Sequence, residues 1–188
     1  MSSTSPPDGA AHLGPSAPVL VVTGAMASGK STVAEALART FPLAAHVRGD
    51  MFRRFVVSGQ ASMDPPISPA ARAQLDLRQS LAAHAADTYA AAGITAVVQD
   101  ILLGPDLARF TASLRTRPRY AVVLTPDAAT LAARDAARHK QAYGAWTPEE
   151  FAEAARETPG GLLLDTTGWT VAETVAQILD RLDEARVA

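Results

Sequence analysis

The 188-residue chain contains no cysteine and no asparagine, and only two of its seventeen cations, Lys30 and Lys140, are lysines. Without cysteine there is no disulfide framework, no thiolate zinc or iron–sulfur site and no thiol nucleophile. Without asparagine there is no N-K-x-D loop of the kind that GTPase switches use to read guanine. Positive charge is also scarce, since nineteen acidic residues leave a formal charge of −2. That balance argues against a nucleic-acid partner or a polybasic membrane contact, both of which need concentrated cations. No apolar run approaches the roughly 18 residues of a membrane span, and the opening residues lack the basic start and apolar stretch of a secretion signal. Residues 1–17, rich in Ser, Pro, Gly and Ala, are expected to form a disordered tail on a cytoplasmic protein.

What is present suits one core. Apolar residues make up 48% of the chain and charged residues 19%, enough to bury the interior of a single domain over residues 18–188. The excess of Ala and Arg resembles a high-GC coding bias, so a position that keeps a lysine is expected to need an ammonium group. Short β-branched runs alternate with helical periodicity. Strands are predicted at Val19–Val22, Leu43–Val47, Ile94–Gln99, Tyr120–Leu124 and Leu162–Asp165. Between them lie helices from Lys30 to Thr40, from Asp50 to about Val57, from Pro69 to about Ala92, and from Gly104 to Thr116. Further helices open at Thr125-Pro126-Asp127, at Thr147-Pro148 and at Thr170, the last two with capping-box spacing to Glu150 and Glu173. In the long helix Leu77, Leu81, Ala85 and Tyr89 are expected to form one face, and in the last helix Val171, Val175, Ile178, Leu179 and Leu182 to face the sheet. Such alternation predicts an α/β fold in three layers, a five-stranded parallel sheet with helices on both faces.

The densest signal is Gly24-Ala25-Met26-Ala27-Ser28-Gly29-Lys30-Ser31, which fits G-x-x-x-x-G-K-[ST] between an apolar strand and an amphipathic helix. Gly24 and Gly29 permit backbone angles that let successive N–H groups converge on phosphate oxygens. The helix start adds unpaired N–H groups and a dipole that favours an anion. Lys30 supplies charge to the outer phosphates, and Ser31 or Thr32 offers a hydroxyl to Mg²⁺. ATP with Mg²⁺ is therefore the expected ligand. With one helix left after the fifth strand, the layout suits a small kinase better than a mechanical ATPase.

Other candidates follow from position. Asp50, just after the second strand in Arg48-Gly49-Asp50, is either a base or ligand for an acceptor hydroxyl or the cap of the helix that follows. Arg53, one turn on, either holds a polar group of the acceptor or is simply exposed. Asp100 ends the third strand, where ligand crevices of open α/β sheets lie, and either helps hold metal and acceptor or closes a turn. Arg134 and Arg138 stand four apart on one helix, an arrangement that repels until phosphate lies between them. They open an expected lid of about residues 134–150. There Lys140 can assist, and Gly144 serves as a hinge between Tyr143 and Trp146. Asp165 and Thr167, after the fifth strand, either approach the nucleotide base or form an ordinary turn.

Taken in order, the GAMASGKST loop, RGD at 48–50, VVQDILLG at 97–104, RDAARHK at 134–140 and LDTT at 164–167 resemble chloramphenicol phosphotransferase-like small kinases. These stand within the gluconate, shikimate and zeta-toxin kinase group. The resemblance implies a P-loop kinase core, ATP and Mg²⁺, and transfer of the γ-phosphoryl group to a hydroxyl of a small molecule such as an antibiotic. Carried across by position, it makes Asp50 the base, Gly24 to Thr32 the cradle, and Arg134 and Arg138 the lid arginines. The family's paired acids at the third strand are here Gln99-Asp100, and the 58–68 loop has no clear counterpart. Alternatives left open are a nucleoside, sugar or nucleotide-sugar kinase, and a regulatory ATPase without a small acceptor. The oligomeric state is not legible.

Overall fold

Five apolar segments pair in parallel: β1 (Val19–Gly24), β2 (Ala44–Arg48), β3 (Thr95–Gln99), β4 (Arg119–Leu124) and β5 (Leu162–Leu164). The computed structural model describes residues 17–137 and 143–188. Nearly all of the expected tail and the lid residues Arg138, His139 and Lys140 lie outside the described residues. The strand order is β2-β3-β1-β4-β5, so β1 lies at the centre with both faces covered. Its residues divide by parity. Val19 and Val21 pack into one core, and Leu20 and Val22 into the other.

The first core is closed by α3 (Pro69–Ala91) and α4 (Pro105–Ser113), which bring Ala82, Ala86, Leu107 and Phe110 to the sheet. The second is closed by α1 (Lys30–Ala38) and α7 (Val171–Asp180), through Val33, Leu37, Val175 and Ile178. The three-layer α/β reading holds. A third, smaller cluster joins the turn after β1 to α5 (Ala128–Ala136) and α6 (Pro148–Arg156), with Ala25, Ala27, Leu131, Tyr143 and Ala152 at its centre. Among the described residues no helix is long and apolar enough to cross a membrane.

Several caps lie where the sequence puts them. Ser68 accepts from the Ala71 N–H, and Thr147 and Thr170 each complete a reciprocal capping box with Glu150 and Glu173. Three local expectations are corrected. The cap of α5 is Asp127, not Thr125, because the Asp127 carboxylate accepts from the Thr130 N–H at 2.7 Å. On α3 the large apolar residues point outward, with Leu77 55% exposed, Leu81 40% and Tyr89 43%. Its buried stripe is instead Ala71, Ala82, Ala83, Ala86 and Ala90, small side chains that let the helix lie close against the sheet. On α7, Leu179 is exposed while Val175 and Ile178 are buried.

Candidate active site

Because all strands run one way, their carboxyl ends share one edge, where ligand crevices of such sheets open. The turn from β1 to α1 occupies that edge. Gly29 sits in the left-handed region at φ 91° and starts α1, and Ala27 alone among described non-glycine residues also has positive φ, at 60°. Left-handed alanine costs about 1–2 kcal/mol, strain of the kind that persists where a functional turn is held by its surroundings. Gly24 permits close approach: a β-carbon there would lie 2.7 Å from the Leu124 carbonyl oxygen. Lys30 is buried and its Nζ donates to the Ala25 carbonyl at 3.0 Å, so the ammonium lies within the loop's own arc.

Ser31 Oγ donates to Gln99 Oε1 at 3.1 Å, and register places Gln99 beside Val22 on one side and Arg48 on the other. With its proton directed at Gln99, the Ser31 hydroxyl keeps lone pairs for a cation. Among the described residues no group of three or more His, Asp or Glu is placed to hold a metal. The arrangement is consistent with Mg²⁺, which retains waters and takes one or two protein ligands beside phosphate oxygens. A nucleotide also fits. Ser28 Oγ and Thr166 Oγ1 are buried without a hydrogen-bond partner, and both residues line a cavity of about 330 Å³ against Gly29, Thr32, Arg134 and Trp169. Unpaired buried hydroxyls in a cavity wall mark a place where a polar ligand would satisfy them.

Arg134 reaches this cavity from α5. It donates to the Ser28 carbonyl at 3.1 Å and the Thr166 carbonyl at 3.4 Å, bridging the phosphate loop and the turn after β5. Asp165 and Thr167 do not line the cavity. The Thr167 hydroxyl accepts from the Asp127 N–H at 2.9 Å, and the Asp165 carboxylate accepts from the Thr167 N–H. The residues just after β5 that reach the cavity are Thr166 and Trp169.

A second cavity, of about 610 Å³, lies on the other side of the loop and meets it at Met26. Arg53 lines it. Asp50 stands within the first turn of α2 (Gly49–Arg54), whose cap position is Arg48, so the carboxylate is not an N-cap. Its Oδ2 accepts from Arg54 at 3.4 Å, while Oδ1 has no hydrogen-bond partner and faces Arg48 Nε at 3.7 Å. Unlike Arg53, Asp50 is not among the residues that line the larger cavity.

Asp100 sits deeper. It is 0% exposed, and both its oxygens are taken by Arg78, with the Ile101 N–H also donating to Oδ1. A β-carbon on Gly49 would fall inside the Asp100 carboxylate, so glycine is required where β2 passes into α2. Arg78, whose side chain is only 14% exposed, lines the larger cavity. Burial pulls its guanidinium below the ordinary arginine range, Asp50 pulls it back up, and nearby Arg53 lowers it further. Arg78 therefore holds the buried Asp100 carboxylate at the wall of the larger cavity. Sequence reading missed it, although a signal exists: Arg78 falls on the stripe of α3 that carries Ala71, Leu75 and Ala82, where a charge needs a partner.

Tyr143 Oη donates to the Met26 carbonyl at 2.6 Å, and Trp146 Nε1 to the Met63 carbonyl at 3.2 Å, tying the segment before α6 to the phosphate loop and the 58–68 loop.

A family profile described as an AAA domain matches residues 19–159. The chain belongs to that family. Among solved structures, it is similar in fold to a sugar kinase from Janibacter sp., at 18% identity and TM-score 0.64, with 91% of this chain and 96% of that one covered. It is also similar to the tunicamycin resistance protein of Deinococcus radiodurans, at 15% identity and TM-score 0.64, over 92% and 99% of the two chains. The APS kinase of Mycobacterium tuberculosis, solved with AMPPNP and APS, shares 20% identity and TM-score 0.65 over 90% and 99%. No curated protein matches the chain by sequence. For this AAA-domain member the fold is thus that of the small P-loop kinases.

Proposed function

We propose that the protein is an ATP-dependent O-phosphotransferase that moves the γ-phosphoryl group onto a hydroxyl of a small molecule. One observation carries this reading: two cavities flank a single phosphate loop, one meeting it at Ser28 and Gly29 and the other at Met26. A nucleotide in the first and an alcohol in the second would present the terminal phosphate to the hydroxyl across the loop. The alcohol oxygen then bonds to the γ-phosphorus, the bond to the β–γ bridging oxygen breaks, ADP leaves, and the hydroxyl proton passes to Asp50. Mg²⁺ would neutralise phosphate charge beside Ser31.

Each residue has a stated part. The loop N–H groups and Lys30 stabilise charge on the phosphates, Arg134 holds the nucleotide end, Trp169 offers a ring for the base, and Asp50 orients and deprotonates the acceptor. Arg53 holds a polar group of the acceptor, and Asp100 acts by fixing Arg78 rather than by touching substrate or metal. Arg138 completes the lid in this proposal, with its position outside the described residues. The cytoplasm, where ATP is abundant, is the proposed site of action.

Incubation with ATP, Mg²⁺ and a panel of hydroxylated antibiotics, nucleosides and sugars, read by mass spectrometry, tests the reading. It expects one product heavier by a phosphoryl group and its loss in Asp50→Asn. Steady ADP release that no alcohol stimulates and a protein does would favour a regulatory ATPase instead.

A further inference from the structure

The smaller cavity differs from end to end in what it offers a nucleotide. It lies between the start of α1, at Gly29 and Thr32, and the start of α7, where Trp169 precedes the Thr170 cap. Phosphates drawn to the Gly29 end leave the base toward Trp169, Val33 and Val171, a ring and two branched apolar side chains.

Telling adenine from guanine needs fixed partners at the base edge. Adenine presents an amino donor beside an acceptor nitrogen, and guanine a carbonyl beside N–H donors. A site that hydrogen-bonds its substrate in this way rejects the mismatched analogue by roughly 10⁴–10⁵. Among the described residues the lining contains no Asp, Glu, Asn or Gln. Its one charged side chain, Arg134, already donates to the Ser28 and Thr166 carbonyls. The carbonyls are occupied as well. That of Thr166 also accepts from the Trp169 N–H at 3.2 Å, and that of Thr170 accepts from both the N–H and the hydroxyl of Thr174. The Thr170 hydroxyl is held in the capping box with Glu173. The unpaired buried hydroxyls of the wall are Ser28 Oγ and Thr166 Oγ1. A hydroxyl turns to donate or to accept, so it serves either base edge. The Trp169 ring is equally tolerant, because every base has a π face that stacks on an aromatic side chain.

Resting on the phosphotransferase reading, we propose that the phosphoryl donor is a purine nucleoside triphosphate of either kind, GTP as well as ATP. The phosphates are held on the loop and the base stacks on Trp169. Trp169 thus sets how tightly a base is held, while the wall carries no group that sets which purine it is.

The test is calorimetry on the full chain with Mg²⁺, comparing AMPPNP, GMPPNP and inorganic tripolyphosphate, which has no base. The two nucleotides should bind with Kd values within about tenfold of each other. Trp169→Leu should weaken both on the order of tenfold and leave tripolyphosphate affinity unchanged, a split that a general loss of structure would not give. The sequence has two tryptophans, so Trp146→Phe leaves Trp169 as the reporter, and its emission should change on saturation with either nucleotide. A preference of more than about tenfold for one purine would overturn the inference. So would unaltered nucleotide affinity in Trp169→Leu, a matching loss of tripolyphosphate binding, or nucleotide binding that leaves the Trp169 emission unchanged. Each of these leaves the kinase reading intact. Absence of binding heat with all three ligands would defeat the kinase reading and this inference together.

Discussion

The two sides of the site are built in opposite ways. The smaller cavity is anchored on one contiguous stretch, residues 24–32, whose lysine is adjacent to its glycine, with Arg134, Thr166 and Trp169 closing it from elsewhere in the chain. The larger cavity, the proposed acceptor side, is assembled from α2, the 58–68 loop, α3, the segment after β3 and residues 143–154, and it rests on a buried ion pair 22 positions apart in sequence, Arg78 with Asp100. A phosphate is the same in every kinase, so a local backbone device serves it. An acceptor differs between enzymes, and its cavity is made from segments that can vary independently.

That contrast can be broken by substitutions on one side at a time. Asp50→Asn should lower kcat on the order of 10²–10⁴-fold and leave nucleotide affinity unchanged, as steady-state kinetics and calorimetry together would record. Lys30→Met should lower kcat by roughly 10²–10³-fold and weaken nucleotide binding as well, because the same ammonium serves ground and transition states. Arg78→Met would strand the Asp100 carboxylate where no water reaches it. A destabilisation of about 3–5 kcal/mol is expected, or roughly 10 °C in Tm, part of which Asp100→Leu in the same chain should restore. Ser28→Ala should leave Tm unchanged or slightly raised, since it removes an unpaired buried hydroxyl, yet it should weaken nucleotide binding by the worth of one hydrogen bond, about 1 kcal/mol.

The smallest effect concerns pH. Hydrogen bonding from Thr130 holds the Asp127 carboxyl below the ordinary carboxylate range. Its contribution to the cap of α5 is therefore present above the unfolded pKa and lost as pH falls through the folded one. Asp127→Asn should flatten acid unfolding over that window, with a change in Tm that shrinks toward low pH.

What the sequence made legible follows the same division. The turn from β1 into α1, the strands and the caps at Ser68, Thr147 and Thr170 are written in short stretches of sequence, and the structure forms each of them. The orientation of α3 is not legible in this way, because periodicity favours Leu77 and Leu81 as the buried face. The close approach of helix to sheet selects the alanine stripe instead, and only tertiary packing decides that. Asp100 was placed at the correct edge, but its burial beneath Gly49 and its capture by Arg78 arise from a helix that returns to β3 only after folding. The partnership of Ser31 with Gln99, and the substitution of Thr166 and Trp169 for Asp165 and Thr167 at the cavity, are likewise matters of strand register and turn geometry.

The central claim is that residues 24–32 hold a nucleoside triphosphate independently of the carboxylate that handles the acceptor. Titration of AMPPNP with Mg²⁺ into the wild-type chain, Lys30→Met and Asp50→Asn by calorimetry addresses it most directly. The account predicts saturable one-site binding to the wild type, the same affinity for Asp50→Asn, and binding weakened at least about tenfold for Lys30→Met. Equal affinity in all three proteins, or no binding heat in any, would contradict it.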